Sequence, residues 1–252
     1  MSHRYDLLQV WPPHRRSSTA SIFAARHAQA LDLVGHASPA PARVLDIAAA
    51  QGNFTLPLAE AGYEVTWNDL REDLAGYVRL KYESGIVHYA PGDVFSLSLA
   101  HPFDIVLIAE VIEHVAHPDA FLRTISEYVR PGGFVVMTTP NGRFWRNTLP
   151  RFSDCEDPSV FESSQFKPDA DGHIFLLHPD EIGPLAQQAG LELRELRLFT
   201  NPLTAGFSGT GLLLRVLPTA IVDVIEGLSR RLPQPVTERL MTGMAVLLQR
   251  PA

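Results

Sequence analysis

The sequence predicts an α/β fold: a mostly parallel sheet, doubly wound by helices on both faces, with an antiparallel last strand. Three observations predict it. Between residues 43 and 140, short runs rich in Val, Ile and Leu alternate with segments of helical period, the pattern of strands covered on both faces by crossover helices. The first run, Val44-Leu45-Asp46-Ile47, passes directly into the small-residue turn Ala48-Ala49-Ala50-Gln51-Gly52-Asn53, where a strand hands over to a helix. The stretch 218–232 contains no parallel-strand unit, which leaves the last two strands to pair antiparallel across it.

The elements follow in order. Residues 19–34 read as a helix with Thr19 or Ser21 as cap, and Pro39 and Pro41 stiffen the connector after it. A buried strand covers 43–48, and a helix covers 54–62, ended by Gly62. Strand 64–69, helix 70–83, strand 87–93, strand 103–110 and helix 117–129 come next, before Pro131-Gly132-Gly133 turns the chain into strand 134–140. Residues 141–172 are rich in Pro, Asp, Ser and Phe without clear period, and a loop of that length caps a site or is mobile. Helix 179–189 and strand 191–199 lead to a Gly/Thr-rich loop over 201–211, a helical stretch over 212–232 broken near Pro218, and a final strand over 244–250.

The 252 residues are 46% hydrophobic and 19% charged, enough to bury a core. A net charge of −7 argues against a nucleic-acid partner. The single cysteine, Cys155, excludes an internal disulfide framework and a thiolate metal cluster, so a cytoplasmic location is expected. The start, MSHRYDLLQVWPPHRR, lacks an apolar core and predicts no signal peptide, and no apolar run reaches membrane-spanning length.

A dinucleotide site needs G-x-G-x-x-G so that backbone can approach a pyrophosphate at a helix start. Here that turn keeps only Gly52, which disfavours a nicotinamide oxidoreductase and fits a ligand without phosphate. Asp69, ending the second strand, can accept both hydroxyls of a ribose. Asp93, in Gly92-Asp93-Val94-Phe95, can meet an adenine amino group.

Taken in order, VLDIAAAQGNFTLPLAEAGYEVTWNDL, GDVF, FDIVLIAEVIEHV and VRPGGFVVMTTPN resemble the motifs of class I S-adenosylmethionine-dependent methyltransferases, and within them the ubiquinone-biosynthesis O-methyltransferase type. The resemblance spans about residues 43 to 199. It implies a Rossmann-like methyltransferase fold in one domain over 1–252. The N-terminal helix lies within 19–36, the cofactor-binding half spans 43–140, a lid-like insertion 141–172 and a helical insertion 201–243. Ala48, Ala49 and Ala50 depart from the family's G-C-G-x-G, which puts the tightness of the turn in question.

The resemblance implies S-adenosylmethionine as cofactor. Asp46 would orient the methionine ammonium, and Ala48, Ala50 and Gly52 would form the loop wall. Asp69 would bind the ribose, Asp93 and Val94 would frame the adenine, and Ala109 would pass the sulfonium. Arg26 is the candidate for the cofactor carboxylate, with a solvated helix face as its plainer reading. Asp46 as a helix cap, and Asp69 and Asp93 as turn residues, are the plainer readings of the three acids.

Glu110, Glu113 and His114 stand at i, i+3 and i+4, a spacing that puts them on one face of a helical turn. With His173 they could hold Mg²⁺ or another divalent metal, as relatives of this pattern do. Alternatively, Glu113 and His114 hydrogen-bond within the fold and His114 acts alone as base. The expected reaction is transfer of a methyl group to a small-molecule hydroxyl. A cofactor-binding protein without catalysis, and N- or C-methylation of a small metabolite, stay open. Phe144, Trp145, Phe152, Phe161 and Phe166 suggest an aromatic lid over the acceptor, or a loop packed on itself.

In 212–232, Leu213, Leu214, Leu217, Ile221, Val224, Ile225 and Leu228 make one apolar stripe. The stripe is expected to pack on the core or on a second subunit in a homodimer. Docking on a membrane surface is the alternative, weakened by mixed charges on the polar side.

Overall fold

A computed structural model describes residues 18–99, 102–165 and 172–252. The N-terminal segment read for a signal peptide, and Phe166 of the expected lid, lie outside the described residues.

Helix α1 (Ser18–Ala37) precedes β1 (Arg43–Ile47), α2 (Thr55–Glu60), β2 (Glu64–Asn68), α3 (Ala75–Lys81) and β3 (Ile86–Tyr89). Then come β4 (Phe103–Ala109), α4 (Pro118–Tyr128), β5 (Val129–Pro140), α5 (Pro179–Gln188) and β6 (Glu192–Phe199). The chain ends with α6 (Gly211–Val216), α7 (Thr219–Ser229), α8 (Gln234–Leu240) and β7 (Gly243–Gln249). The seven strands form one sheet in the order β3-β2-β1-β4-β5-β7-β6. β1 pairs parallel with both β2 and β4, so the strand order reverses at its carboxyl end. β7 runs antiparallel between β5 and β6. This is the mixed α/β sheet that the alternating pattern predicts.

The period of two along β4 divides the core. Ile105 and Leu107 pack with Val44, Leu33 and Val34 beneath α1 and α2. Val106 and Ile108 face the other way, onto Leu45, Leu122 and Ile125 of α4, and Ile182 and Leu185 of α5. Ile105 through Ile108 are fully buried, which explains an uninterrupted apolar run in place of alternation. No helix of the described residues is long and apolar enough to cross a membrane.

Three elements differ from expectation. The helix expected over 70–83 begins as a 3-10 turn, Glu72–Leu74, and becomes α-helical only at Ala75. Asp69 takes the Arg71 N–H at 2.8 Å and holds the chain extended there. β5 begins at Val129, with Pro131-Gly132-Gly133 absorbed as a bulge: the register steps from Phe103↔Val129 to Ile105↔Phe134. Gly132 and Gly133 still bond to Arg250 beyond β7, which keeps the bulge in the sheet.

The third difference is the orientation of the helical insertion. Of the placements expected for the stripe, on the core, on a second subunit or on a membrane, the first does not hold for α7: Ile221, Val224 and Leu228 are exposed, although Leu214 is buried. α7 docks through its polar side instead. The carboxylate of buried Glu226 accepts from Thr200 N at 2.5 Å, Asn201 N at 3.0 Å and Thr204 Oγ1 at 2.9 Å. It caps the backbone where Thr200 takes a positive φ of 63° at the end of β6. Two backbone donors otherwise left without a partner, with the Thr204 hydroxyl joining them, outweigh an apolar stripe that another surface can cover.

Glu226→Ala is therefore expected to lower stability by about 2–3 kcal/mol, and Val224→Ala by less than about 0.5 kcal/mol. Urea denaturation of both variants checks this. Equal losses would mean that α7 sits the other way round.

Candidate active site

At the carboxyl ends of β1, β2 and β4 lies a cleft of about 410 Å³, lined in part by Ala48, Asp69, Asp93, Val94, Glu110 and His114. Ligands of open parallel sheets bind at such a reversal of strand order.

The loop after β1 carries the most constrained backbone. Ala48 and Ala50 hold positive φ values of 54° and 47°, and Gly52 has φ 73°. Left-handed backbone costs an alanine roughly 1–2 kcal/mol. The surroundings impose it. Asp69 Oδ2 accepts from Ala50 N at 2.9 Å, while Trp67 Nε1 donates to Ala50 O at 2.9 Å. Ala49 N donates to Asn68 O at 2.9 Å. A Cβ at Gly52 would meet Val78 Cγ2 at 3.0 Å, so this position admits only glycine without displacement. The loop thus keeps the glycine-type conformation with two alanines in it.

α1 closes over this loop. His27 Nε2 lies 2.9 Å from Asn53 O, and its ring stacks between Phe23 and Phe54. Burial lowers the His27 pKa, so the neutral ring donates to the carbonyl. The docking carries Arg26 to the cleft, where Nη2 meets Glu110 Oε2 at 2.8 Å.

Asp46 is 1% exposed and accepts from Thr55 Oγ1 at 2.6 Å. Burial drives its pKa up to about 7, aided by the charge of Asp69 and opposed by the Thr55 hydroxyl. Burial also raises Asp69, against its bonds from Arg71 N and Ala50 N. Asp93 is exposed and caps a 3-10 turn by accepting from Phe95 N at 3.0 Å and Ser96 Oγ at 3.1 Å. Val94, inside that turn, is buried.

The second cluster sits on a 3-10 turn, Ile112–His114, rather than on the α-helical turn the spacing suggests. Glu110 precedes it at a positive φ of 56°, and its N–H bonds Thr138 O at 2.8 Å. That backbone sends its side chain to Arg26. Glu113 is fully buried, with Oε2 accepting from Thr139 Oγ1 at 3.0 Å. Ile174 N donates to Glu113 O at 2.7 Å, which brings His173 alongside. The His114 and His173 rings meet at 4.7 Å, edge to face. Ligand atoms of Glu113, His114 and His173 all lie within 4.8 Å of one another, and Glu110 is outside this group. Burial, then the charge of Glu110, lifts the Glu113 pKa well above the usual carboxylate range.

Of the aromatic residues expected over the acceptor, Phe152 and Phe161 pack edge-on against Phe175, and Phe144 packs on Phe207. These rings cover one another in place of lining the cleft. Gln165 Oε1 accepts from Ala116 N at 2.9 Å and Glu162 meets His117 at 3.0 Å, so this loop braces the turn that carries His114. Sequence reasoning missed Thr139, Trp67 and the cleft wall formed by Phe95 and Phe121. A Thr among the apolar residues of β5 is the signal that marked Thr139.

A family profile described as a methyltransferase domain matches residues 20–196. The chain belongs to the class I S-adenosylmethionine-dependent methyltransferases. It is 32% identical over 204 residues to a ubiquinone biosynthesis O-methyltransferase of Aromatoleum aromaticum, covering 77% of this chain and 85% of that protein. It is 31% identical over 212 residues to the protein of the same name from an Azoarcus species, covering 76% and 84%. Among solved structures, the fold is similar to magnesium protoporphyrin IX methyltransferase from Synechocystis with bound SAH. There the TM-score is 0.59 at 12% identity, over 98% of this chain and 93% of that one.

Ala48→Gly and Ala50→Gly are each expected to raise stability by about 0.5–1 kcal/mol, and Gly52→Ala to lower it by at least about 1 kcal/mol. Thermal and urea denaturation test the set; a loss on either alanine-to-glycine change overturns the reading of the loop.

Asp46 gives a pH signature. Its folded pKa is raised above the unfolded value, so the folded state keeps a proton that the unfolded state loses. Its contribution is present below about pH 4 and is lost as pH rises through about 7. Asp46→Asn should flatten that slope and, without ligand, be more stable than the parent above pH 7 by roughly 2–4 kcal/mol. Parallel slopes for the two proteins would refute the burial of an unpaired charge.

Proposed function

We propose that the chain O-methylates a small-molecule hydroxyl with S-adenosylmethionine, His114 facing the acceptor. The observation that carries this is His114 in the cleft wall, backed by His173 and by the buried carboxyl of Glu113. The relatives named as O-methyltransferases support the choice of oxygen as acceptor atom.

Bound S-adenosylmethionine supplies a methyl carbon on a sulfonium, open to in-line displacement. We assign Asp69 to the ribose hydroxyls: each oxygen already accepts one backbone N–H and keeps a lone pair toward the cleft. Asp46, beneath the loop wall of Ala48, Ala50 and Gly52, takes the ammonium. Asp93 and Val94 frame the adenine, and Ala109 flanks the methyl donor. Arg26 takes the cofactor carboxylate, supported by its ion pair with Glu110 of the cleft wall. His114 receives the acceptor's hydroxyl proton as the oxygen–carbon bond forms and the carbon–sulfur bond breaks.

The donor set also fits a divalent metal. Glu113 Oε1 is buried without a hydrogen-bond partner and lies 4.0 Å from His173 Nε2. Two imidazoles and a carboxylate suit such an ion. Glu113, His114 and His173 would hold it, and it would lower the pKa of an acceptor hydroxyl and orient it. A second reading, a cofactor-binding protein without catalysis, is favoured by the alanines in the loop.

The test is S-adenosylhomocysteine release across a panel of phenolic, catecholic and aliphatic hydroxyls, with and without EDTA. Glu113→Gln and His114→Ala should keep S-adenosylhomocysteine binding and lose turnover by roughly 10²-fold. Asp69→Ala should weaken cofactor binding by about 1–3 kcal/mol. Binding without turnover on every acceptor would establish the second reading, and EDTA-resistant turnover would remove the metal.

A further inference from the structure

Arg26 and His27 are neighbours on α1 and have different partners. Arg26 Nη2 meets Glu110 Oε2 at 2.8 Å, and Glu110 lines the cleft. His27 Nε2 donates to Asn53 O, in the loop after β1, at 2.9 Å. Successive side chains of an α-helix leave it about 100° apart, so a ring held in place at 27 also fixes the direction in which 26 departs.

Few other contacts set that direction. The C-terminal half of α1 is anchored in the core by Ala30, Leu33 and Val34. Over 21–29, by contrast, every residue is half-buried or exposed. This stretch borders a cavity of about 580 Å³, which Ala24 and Ala28 line together with Leu217 and Val222 of the insertion. Methyl groups beside a cavity hold a helix weakly. His27 is held from three directions. Its ring stacks on Phe23 with centroids 5.8 Å apart and on Phe54 at 5.2 Å, and its acceptor is itself fixed. Asn53 Oδ1 takes Lys81 Nζ of α3 at 3.0 Å, and Gly52 beside it lies against Val78 of the same helix. His27 therefore ties the exposed turns of α1 to a rigid point of the loop.

We propose, on the assignment of Arg26 to the cofactor carboxylate, that His27 is the positioning residue for that carboxylate: its bond to Asn53 O sets α1 so that Arg26 stands at the cleft. Without it the guanidinium must be ordered at each binding event, which costs affinity for the ligand it meets and for no other part of the cofactor.

Two ligands separate this role from a structural one. S-adenosylhomocysteine carries the carboxylate, whereas 5′-methylthioadenosine keeps the nucleoside and thioether and lacks the amino-acid part. Calorimetry of the full chain with each is the measurement. His27→Ala should weaken S-adenosylhomocysteine binding about tenfold and leave 5′-methylthioadenosine within about twofold, the latter also showing that the cleft is folded. His27→Phe keeps a ring for the stack without a donor and should lose as much, while His27→Gln keeps an N–H and should recover part of the loss. Added to Arg26→Ala, His27→Ala should cost no further affinity, because both act through one guanidinium. Unchanged S-adenosylhomocysteine binding by Arg26→Ala overturns the carboxylate assignment and the positioning role with it. A loss with Arg26→Ala and none with His27→Ala overturns the positioning role alone. So does full binding by His27→Phe, or an equal loss of both ligands with His27→Ala, which would mark a contact that only holds the loop together.

Discussion

The cleft depends on one residue whose backbone is held from both sides. The N–H of Ala50 is taken by Asp69 and its C=O by the Trp67 indole, at 2.9 Å each. Both partners come from β2 or the residue just beyond it, so the strand that pairs with β1 also shapes the turn that leaves β1. Two partly buried hydrogen bonds, one to a carboxylate, contribute about as much as two left-handed alanines cost. Strain at the loop is thereby balanced by neighbours that the sheet has already fixed, as backbone outliers at ligand sites generally require. Asp69 sets the loop, and under the proposed function the same carboxylate would also take the ribose.

The strands were legible because their signal is local. Burial on both faces demands an apolar run, which β4 supplies without a break from Ile105 to Ala109 and β1 supplies apart from Asp46. Asp46, Asp69, Asp93, Val94 and Ala109 stand out as candidates because each ends a strand or follows its end in an order that fixes position. What the sequence hid depends on backbone direction. The spacing of Glu110 and Glu113 suggests a shared helical face, yet Glu110 takes a positive φ, pairs with Arg26 and stays outside the group of ligand atoms that Glu113 forms with the two histidines. No residue pattern announces that twist. Thr139 was hidden for a different reason, since its partner Glu113 lies 26 positions away across two strands.

The insertion after β6 shows how a polar anchor can overrule an apolar period. A stripe at helical spacing says only that one side of α7 is apolar. Which side meets the domain was decided by Thr200, Asn201 and Thr204, whose donors converge on Glu226. A buried carboxylate with three donors is costly to displace, whereas exposed Ile221, Val224 and Leu228 lose only area. Helical moment read from sequence therefore gives the axis of the contrast but not its sign.

Two buried carboxyl groups, Asp46 and Glu113, each directly precede a residue of the cleft wall, Ile47 and His114, and burial pushes both toward the protonated form. An apolar site that keeps its acids neutral is stable when empty. The same acids become strong partners once a cation enters, because the cation favours the charged form and the low dielectric enlarges their attraction. Arg26 stands opposite, with Glu110 balancing it at the rim. Under the roles proposed for Asp46 and Arg26, these charges would match the amino-acid part of S-adenosylmethionine, which carries an ammonium with a carboxylate near it. The alanines fit this account as well: such a ligand needs close backbone on one side only, and a small methyl group at Ala48 and Ala50 leaves that approach open where a pyrophosphate would demand glycine.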